Sequence, residues 1–414
     1  MLCVRDGRHF AVRLAVHVYR SFLSSRRNRI IMSDRNKRKP KQGGKNVNIE
    51  TKRSNRQFAL LTAIAMVLVI MGHVNEQLLT FGGLFPYYSF HIALFLFISG
   101  YFYKEDQEEK IPSYIVKKAK HLLIPYFIWN LFYGIVVIGL RACGFYIGNE
   151  PSLWTLLAEP FLSGHQFSYN APAWFVPALF LAQAANVVIR RILRFVKIQN
   201  EWIIQGIYLC MGFAVVWLSA NGYVYDWYRI PGRIMYMLPC FQMGKLYRAK
   251  LEEKDRLPNW LYFGILFAVQ LFLVANCNGL AVSAAWCNGF LNGPVIPYLT
   301  AVTGIAFWLR TAKILLPVFE KSRFWNYLGD NTYAVMMHQL PAMMLVSGIF
   351  AAANRMLGAF GDFSWDHFLT DVYYVYLPGG QEAFRWIYVI AAICLPLTLQ
   401  KGIDLTKEKT QKRS

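Results

Sequence analysis

The sequence predicts an all-α polytopic membrane protein with about ten transmembrane helices and both termini cytoplasmic. Three observations carry this. Of the 414 residues, 56% are hydrophobic and only 16% are charged, against about 25% charged in an ordinary soluble protein. Apolar runs of roughly 18 residues or more recur along the whole length, long enough to cross a bilayer. The basic residues are also distributed unevenly. Arg141, Arg229, Arg233, Arg355 and Arg385 are the five that fall with the odd-numbered loops, and the other 39 of the 44 Lys and Arg residues fall in the tails and even-numbered loops. Basic residues accumulate on the cytoplasmic side, so the tails and even loops belong there.

Taken in order, residues 1–57 form a polar segment with 16 Lys and Arg residues. Such a composition cannot bury a core, and it is expected to be unstructured. Its brief apolar patches and early arginines do not make a secretion signal, and Met32 serves as a start as well as Met1. The spans are expected near 58–79, 84–103, 121–141, 172–189, 202–220, 231–247, 258–277, 293–310, 327–350 and 384–401. The sixth is short, and Pro231 and Pro239 suggest a kink or a broken helix there. The membrane domain is therefore 58–401, followed by a second basic tail, 402–414. The loops expected outside, such as 150–172 and 361–382, are longer and rich in acidic and aromatic residues.

The net charge of +21 reads as topology and attraction to anionic membrane lipid, not as nucleic-acid binding. The seven cysteines form no CxxC or Cys/His cluster, so no metal is expected. Cys277 and Cys287 share one external loop, where they could pair. No internal repeat and no dinucleotide, Walker or zinc-protease motif is present. Oligomeric state is not legible.

Polar groups inside the spans are the functional candidates, since an ionisable side chain in hydrocarbon is costly. His73 lies about 22 Å into the first span and His91 about 10 Å below the outer end of the second, at the helical rise of about 1.5 Å per residue. The two therefore lie at similar depth. His338 lies in the ninth span, Arg233 near the outer end of the sixth, and Asn170 and Trp174 at the outer end of the fourth. Together they could line one outward-opening cavity. The plainer readings are a hydrogen-bonded structural histidine, an arginine that snorkels to the interface and a tryptophan of the interfacial belt. In the first cytoplasmic loop, Lys117, Lys118, Lys120 and His121 form a basic cluster. It either records topology or holds phosphates.

Five blocks in fixed order, LLTAIAMVLVIMGH, FHIALFLFISGYFYK, KKAKHLLIPY, WFVPALF and LGDNTYAVMMH, resemble the acyltransferase-3 family of integral membrane O-acyltransferases. The second block is most similar to the fucose 4-O-acetylase-like branch. The resemblance covers about residues 56–400. It implies O-acetylation of a cell-surface or exported carbohydrate, with acetyl-CoA as donor, by a multi-pass protein of a bacterial-type cell membrane. It makes His73 the catalytic candidate, matches His91 and His338 to further family histidines, and links Lys118 and His121 with coenzyme A. Many members carry Arg or Lys eleven residues before the first histidine; here that position is Thr62, which bears on how the donor is held.

Acyl transfer to a hydroxyl needs a base and a group that stabilises the thioester oxygen as it gains charge. Unperturbed imidazole titrates near pH 6.5, which suits a base at neutral pH. His73 is the expected base, His91 its orienting or hydrogen-bonding partner, and Arg233 the group that positions acceptor or oxyanion. Lys117, Lys118, Lys120 and His121 are the expected donor-binding set, and Asn170, Trp174 and His338 the acceptor-binding set. The rival class is a transporter or flippase of a sugar-containing lipid, with the histidines as proton relays.

Overall fold

The computed structural model of the protein describes residues 44–75 and 81–413. The chain forms two compact units, one of Arg56–Thr398 and one of Met1–Asn55 with Leu399–Ser414. The described part of the second unit is helical: the start of the first long helix and the end of the last. There Gln400 Nε2 donates to Asp404 Oδ1 at 2.9 Å. The expected unstructured tail lies outside the described residues as far as residue 43. Residues 44–57 are helical instead. Once the apolar part of a helix is fixed, each added residue gains a backbone hydrogen bond, so polar turns can extend it.

Each expected span corresponds to a helix. In chain order these are α1 (Gly44–Val74), α2 (His91–Tyr101), α3 (Ile111–Ala142), α4 (Phe175–Phe195) and α5 (Glu201–Ala220). Then come α6 (Arg229–Leu246), α7 (Asn259–Asn276), α8 (Ile296–Phe319), α9 (Thr332–Leu357) and α10 (Arg385–Arg413). Among the described residues eight helices are long and apolar enough to cross a membrane. The two others are α2, with 11 residues, and α6, whose 18 residues include Arg229, Arg233, Gln242 and Lys245. No β-sheet is present among the described residues beyond two isolated bridges.

The helix α2 begins at His91, seven residues later than the apolar run. Phe85 adopts a left-handed φ of 53°, and its N–H donates to Gln270 Oε1 of α7 at 3.1 Å. The chain then makes a 3-10 turn over Tyr87–Ser89 before the helix starts. The sixth span is one continuous helix, not a broken one. Pro231 sits in its first turn, where no N–H is needed. At Pro239, Gln205 Nε2 of α5 donates to the carbonyl at 3.3 Å.

The crossing of α2 and α6 is unusually close. A Cβ on Gly100 would lie 1.7 Å from the Phe241 carbonyl oxygen, and one on Gly244 would lie 1.9 Å from that of Phe97. Backbones approach this closely in membranes only where small residues face each other. Beyond this crossing a buried charge network joins α4, α5 and α6 to the 3-10 turn Glu105–Glu109. Arg190 holds Glu201 bidentately at 2.9 and 3.0 Å and Glu108 at 2.8 Å. Gln242 Nε2 donates to Glu201 at 2.7 Å. Just outside it, Lys245 Nζ lies 2.6 Å from Glu105 and holds that carboxyl below its ordinary range.

Alanine at Gly100 or Gly244 must therefore push the helices apart. Overpacking of this kind costs about 1–3 kcal/mol or more. Alanine at Gly139 of α3, where nothing lies within 4 Å of the added carbon, should be neutral or stabilising by up to ~1 kcal/mol. Thermal unfolding of the detergent-solubilised protein compares the three, and equal melting temperatures would contradict the close crossing.

Candidate active site

A cavity of about 860 Å³ opens among α1, α2, α3, α4, α6, α9 and four connecting segments. Its lining includes Met66, Leu122, Thr332, Tyr333 and Met336 on the helices, and Gly164, Gln166, Ser168, Trp286 and Tyr373 from the loops. His73, His91, Trp174 and Arg233 line it as well. Four of the expected site residues, scattered over 160 positions of sequence, thus share one cavity.

The two histidines occupy helix ends. His73 lies in the last turn of α1, and His91 is the first residue of α2. Each ring is fixed through Nδ1. His91 Nδ1 donates to the Tyr87 carbonyl at 2.5 Å. His73 Nδ1 lies 3.1 Å from Gln339 Oε1 of α9. Gln339 turns its Nε2 toward the Met336 carbonyl at 3.5 Å, so Oε1 is the atom facing His73, and Nδ1 donates to it. In both rings the proton is then on Nδ1, and Nε2 is left as the basic atom. Around them, Tyr88 donates to the Gly72 carbonyl at 3.1 Å and packs edge-on against His91 at 5.1 Å. The Tyr373 ring lies 5.8 Å from His73. Burial first, then nearby Tyr88 and Asp371, holds the Tyr373 phenol above its ordinary value. It stays protonated and can donate.

Arg233 forms another part of the wall. Its Nε donates to the Ala285 carbonyl at 2.7 Å, as does Nη2, and the guanidinium stacks on Trp174 at 4.9 Å. The Trp174 ring thus serves as a platform for the Arg233 cation. One turn earlier, Arg229 Nη1 donates to the Ser163 carbonyl at 3.1 Å and stacks on Trp286 at 4.8 Å.

Seven expected residues do not line the cavity: Asn170, His338, Thr62, Lys117, Lys118, Lys120 and His121. Asn170 is fully buried beside it, donating to Asn130 Oδ1 at 2.8 Å and accepting from Gln166 Nε2 at 3.0 Å. It holds Gln166, which does line the cavity. His338 Nδ1 pairs with the Tyr133 hydroxyl at 2.5 Å, and its ring packs 4.2 Å from Trp129. Thr62 donates to its own helix at the Phe58 carbonyl, 2.7 Å away, and presents nothing to the cavity. Lys117, Lys118, Lys120 and His121 lie on one broad side of α3 at about 100° per residue. Lys117 and Lys120 are exposed, Lys118 reaches over Tyr114 at 5.5 Å, and the cluster ends one residue before cavity-lining Leu122.

Among the described residues no group of His, Cys, Asp and Glu could hold a metal. Cys277 and Cys287, which could have paired, are both free thiols; Cys287 instead packs beside Gly232 of α6.

The acyltransferase domain family matches residues 56–399, and the chain belongs to that family, acyltransferase-3. It is a multi-pass membrane acyltransferase. Comparison with curated proteins and with solved structures gives no match.

Gln339 is the residue that the sequence concealed. It differs from the other candidates only in being an uncharged polar group in an apolar span, next to His338. Gln339→Leu should slow acyl transfer about tenfold or more, as expected for loss of a hydrogen bond to a group that becomes charged, with the Michaelis constant for the donor unchanged. Gln339→Glu, which can still accept from Nδ1, should recover most of the rate. Equal rates in all three proteins would remove Gln339 from the site.

Proposed function

We propose that the protein transfers an acetyl group from acetyl-CoA to a hydroxyl of a cell-surface or exported carbohydrate, in a bacterial-type cell membrane. One observation supports this most strongly: a single cavity is lined near the basic cluster by Leu122, Thr332 and Tyr333, near the loops by Ser168, Trp286 and Tyr373, and along its wall by His73 and His91. A donor held at Lys117, Lys118, Lys120 and His121 and an acceptor entering past the loops would meet at the imidazoles. The lysines fit the phosphates of coenzyme A by charge and exposure. Ten spans with both termini cytoplasmic would put these two entrances on opposite faces of the membrane.

In this reading His73 Nε2 removes the acceptor hydroxyl proton as the oxygen bonds to the acetyl carbon. Gln339 steadies the imidazolium through Nδ1. The Tyr373 hydroxyl and the N-terminus of α2, at His91 and Ile92, face the charge that develops on the carbonyl oxygen. The carbon–sulfur bond then breaks, and His73 returns the proton to the departing thiolate. His91 Nε2, an acceptor in its present tautomer, orients the hydroxyl.

Isolated membranes supplied with labelled acetyl-CoA provide the test. They should form a base-labile acetyl ester, and His73→Ala should reduce its rate by about 10²–10⁴-fold, the usual contribution of a general base. Expression and membrane insertion should be unchanged. Ester formation at the wild-type rate in that variant would remove His73 as base. Transport of a sugar compound with no ester formed would favour a carrier.

A further inference from the structure

The cavity wall carries charge of one sign. Its titratable lining side chains other than tyrosine are His73, His91, His165 and Arg233, and among the described residues no Asp or Glu lines it. The N-termini of α2 (His91, Ile92) and α9 (Thr332, Tyr333) also open on it, each adding a partial positive charge. Arg233 is 3% exposed, and among the described residues it forms no ion pair. A buried guanidinium without a counter-charge is costly. Stacking on Trp174 offsets part of that and leaves the charge in place.

The hydrogen bonds of Arg233 indicate which edge is free. Nε and Nη2 both donate to the Ala285 carbonyl, which occupies one side of the fork. Nη1 makes no hydrogen bond among the described residues. The end of the guanidinium, with Nη1 and the second Nη2 hydrogen, therefore presents two near-parallel N–H groups. That pair matches two oxygens of a carboxylate or phosphate. The neighbouring chain is shaped around this group. A Cβ on Gly164 would lie 2.8 Å from Nη1, and Gly164 has a φ of +72°, which only glycine adopts readily.

We propose that the acceptor is an anionic molecule, whose carboxylate or phosphate binds Arg233 while its hydroxyl is acetylated. The inference rests on the acetyl-transfer reading above and adds the acceptor's chemical class. Arg233 is then a specificity-determining residue, and Gly164 keeps its free edge open.

The test uses membranes that contain the full chain, labelled acetyl-CoA, and the His73→Ala protein as blank. Base-labile label that depends on His73 is separated by anion exchange. The expected result is label in the retained, anionic fraction. Reduction of sugar carboxyls with carbodiimide and borohydride abolishes retention if the anion is a carboxylate and leaves it if the anion is a phosphate; either supports the proposal. Label in the unretained, neutral fraction overturns it while leaving acetyl transfer intact. No His73-dependent label in any fraction overturns the acetyl-transfer reading itself. With the deacetylated anionic fraction as acceptor, Arg233→Gln should raise the acceptor Michaelis constant roughly tenfold or more and leave that for acetyl-CoA unchanged. Gly164→Ala should give a smaller change in the same direction. An unchanged acceptor constant in Arg233→Gln would also overturn the proposal.

Discussion

The close crossing of α2 and α6 is the constraint on which the rest of the site depends. An 11-residue helix is too short to cross a bilayer by itself, and α2 holds its place by lying backbone against backbone on α6 at Gly100 and Gly244. That contact sets two side chains at once. His91 starts α2, and Arg233 sits in the second turn of α6, so the imidazole and the guanidinium reach the same cavity from two elements that cannot slide independently. The buried Arg190, Glu108, Glu201 and Gln242 network fastens α6 to α4 and α5. Removing one partner from such a group costs several kcal/mol, so the helices that carry the cavity wall are firmly registered.

Within that frame the chemistry depends on how each imidazole is held. Nδ1 of His73 and Nδ1 of His91 are both committed to protein oxygens, one a side-chain amide and one a backbone carbonyl. This leaves two Nε2 atoms as the basic groups of the cavity. The partners come from different places: Gln339 from α9, and Tyr87 from the turn that precedes α2. The proposed base is therefore oriented by a helix distant in sequence, and its companion by its own helix start. Arg233 and Trp174 supply charge and a flat surface in the same cavity.

Much of this was legible in the sequence, and the reasons differ by residue. The ten helices followed from apolar runs, because hydrocarbon forces every backbone group to bond within its own segment. Their ends did not follow. The late start of α2 goes with a left-handed Phe85 and with Gln270 from a distant helix, and α6 runs unbroken through Pro239. His73, His91, Arg233 and Trp174 could be picked out because polar or aromatic groups at those depths need a use. His338 and Asn170 satisfied the same criterion, yet they serve Tyr133 and Gln166, since one turn of helix decides which neighbour a side chain meets. Thr62 was singled out by a family pattern, and its hydroxyl is satisfied locally at Phe58. Gln339 and Tyr373 left no sequence signal strong enough to separate them from ordinary polar residues.

In the proposed reaction, donor and acceptor meet at His73 after entering one cavity from opposite faces of the membrane. Sealed vesicles of known orientation test it most directly. Labelled acetyl-CoA is placed only on the face that carries Lys117, Lys118 and Lys120, and the acceptor only on the face of the loops that contain Ser168, Trp286 and Tyr373. Acetyl ester should form on the acceptor in intact vesicles and be lost when His73 is replaced by alanine. Ester formed only when both substrates share one face, or formed equally without His73, would contradict it.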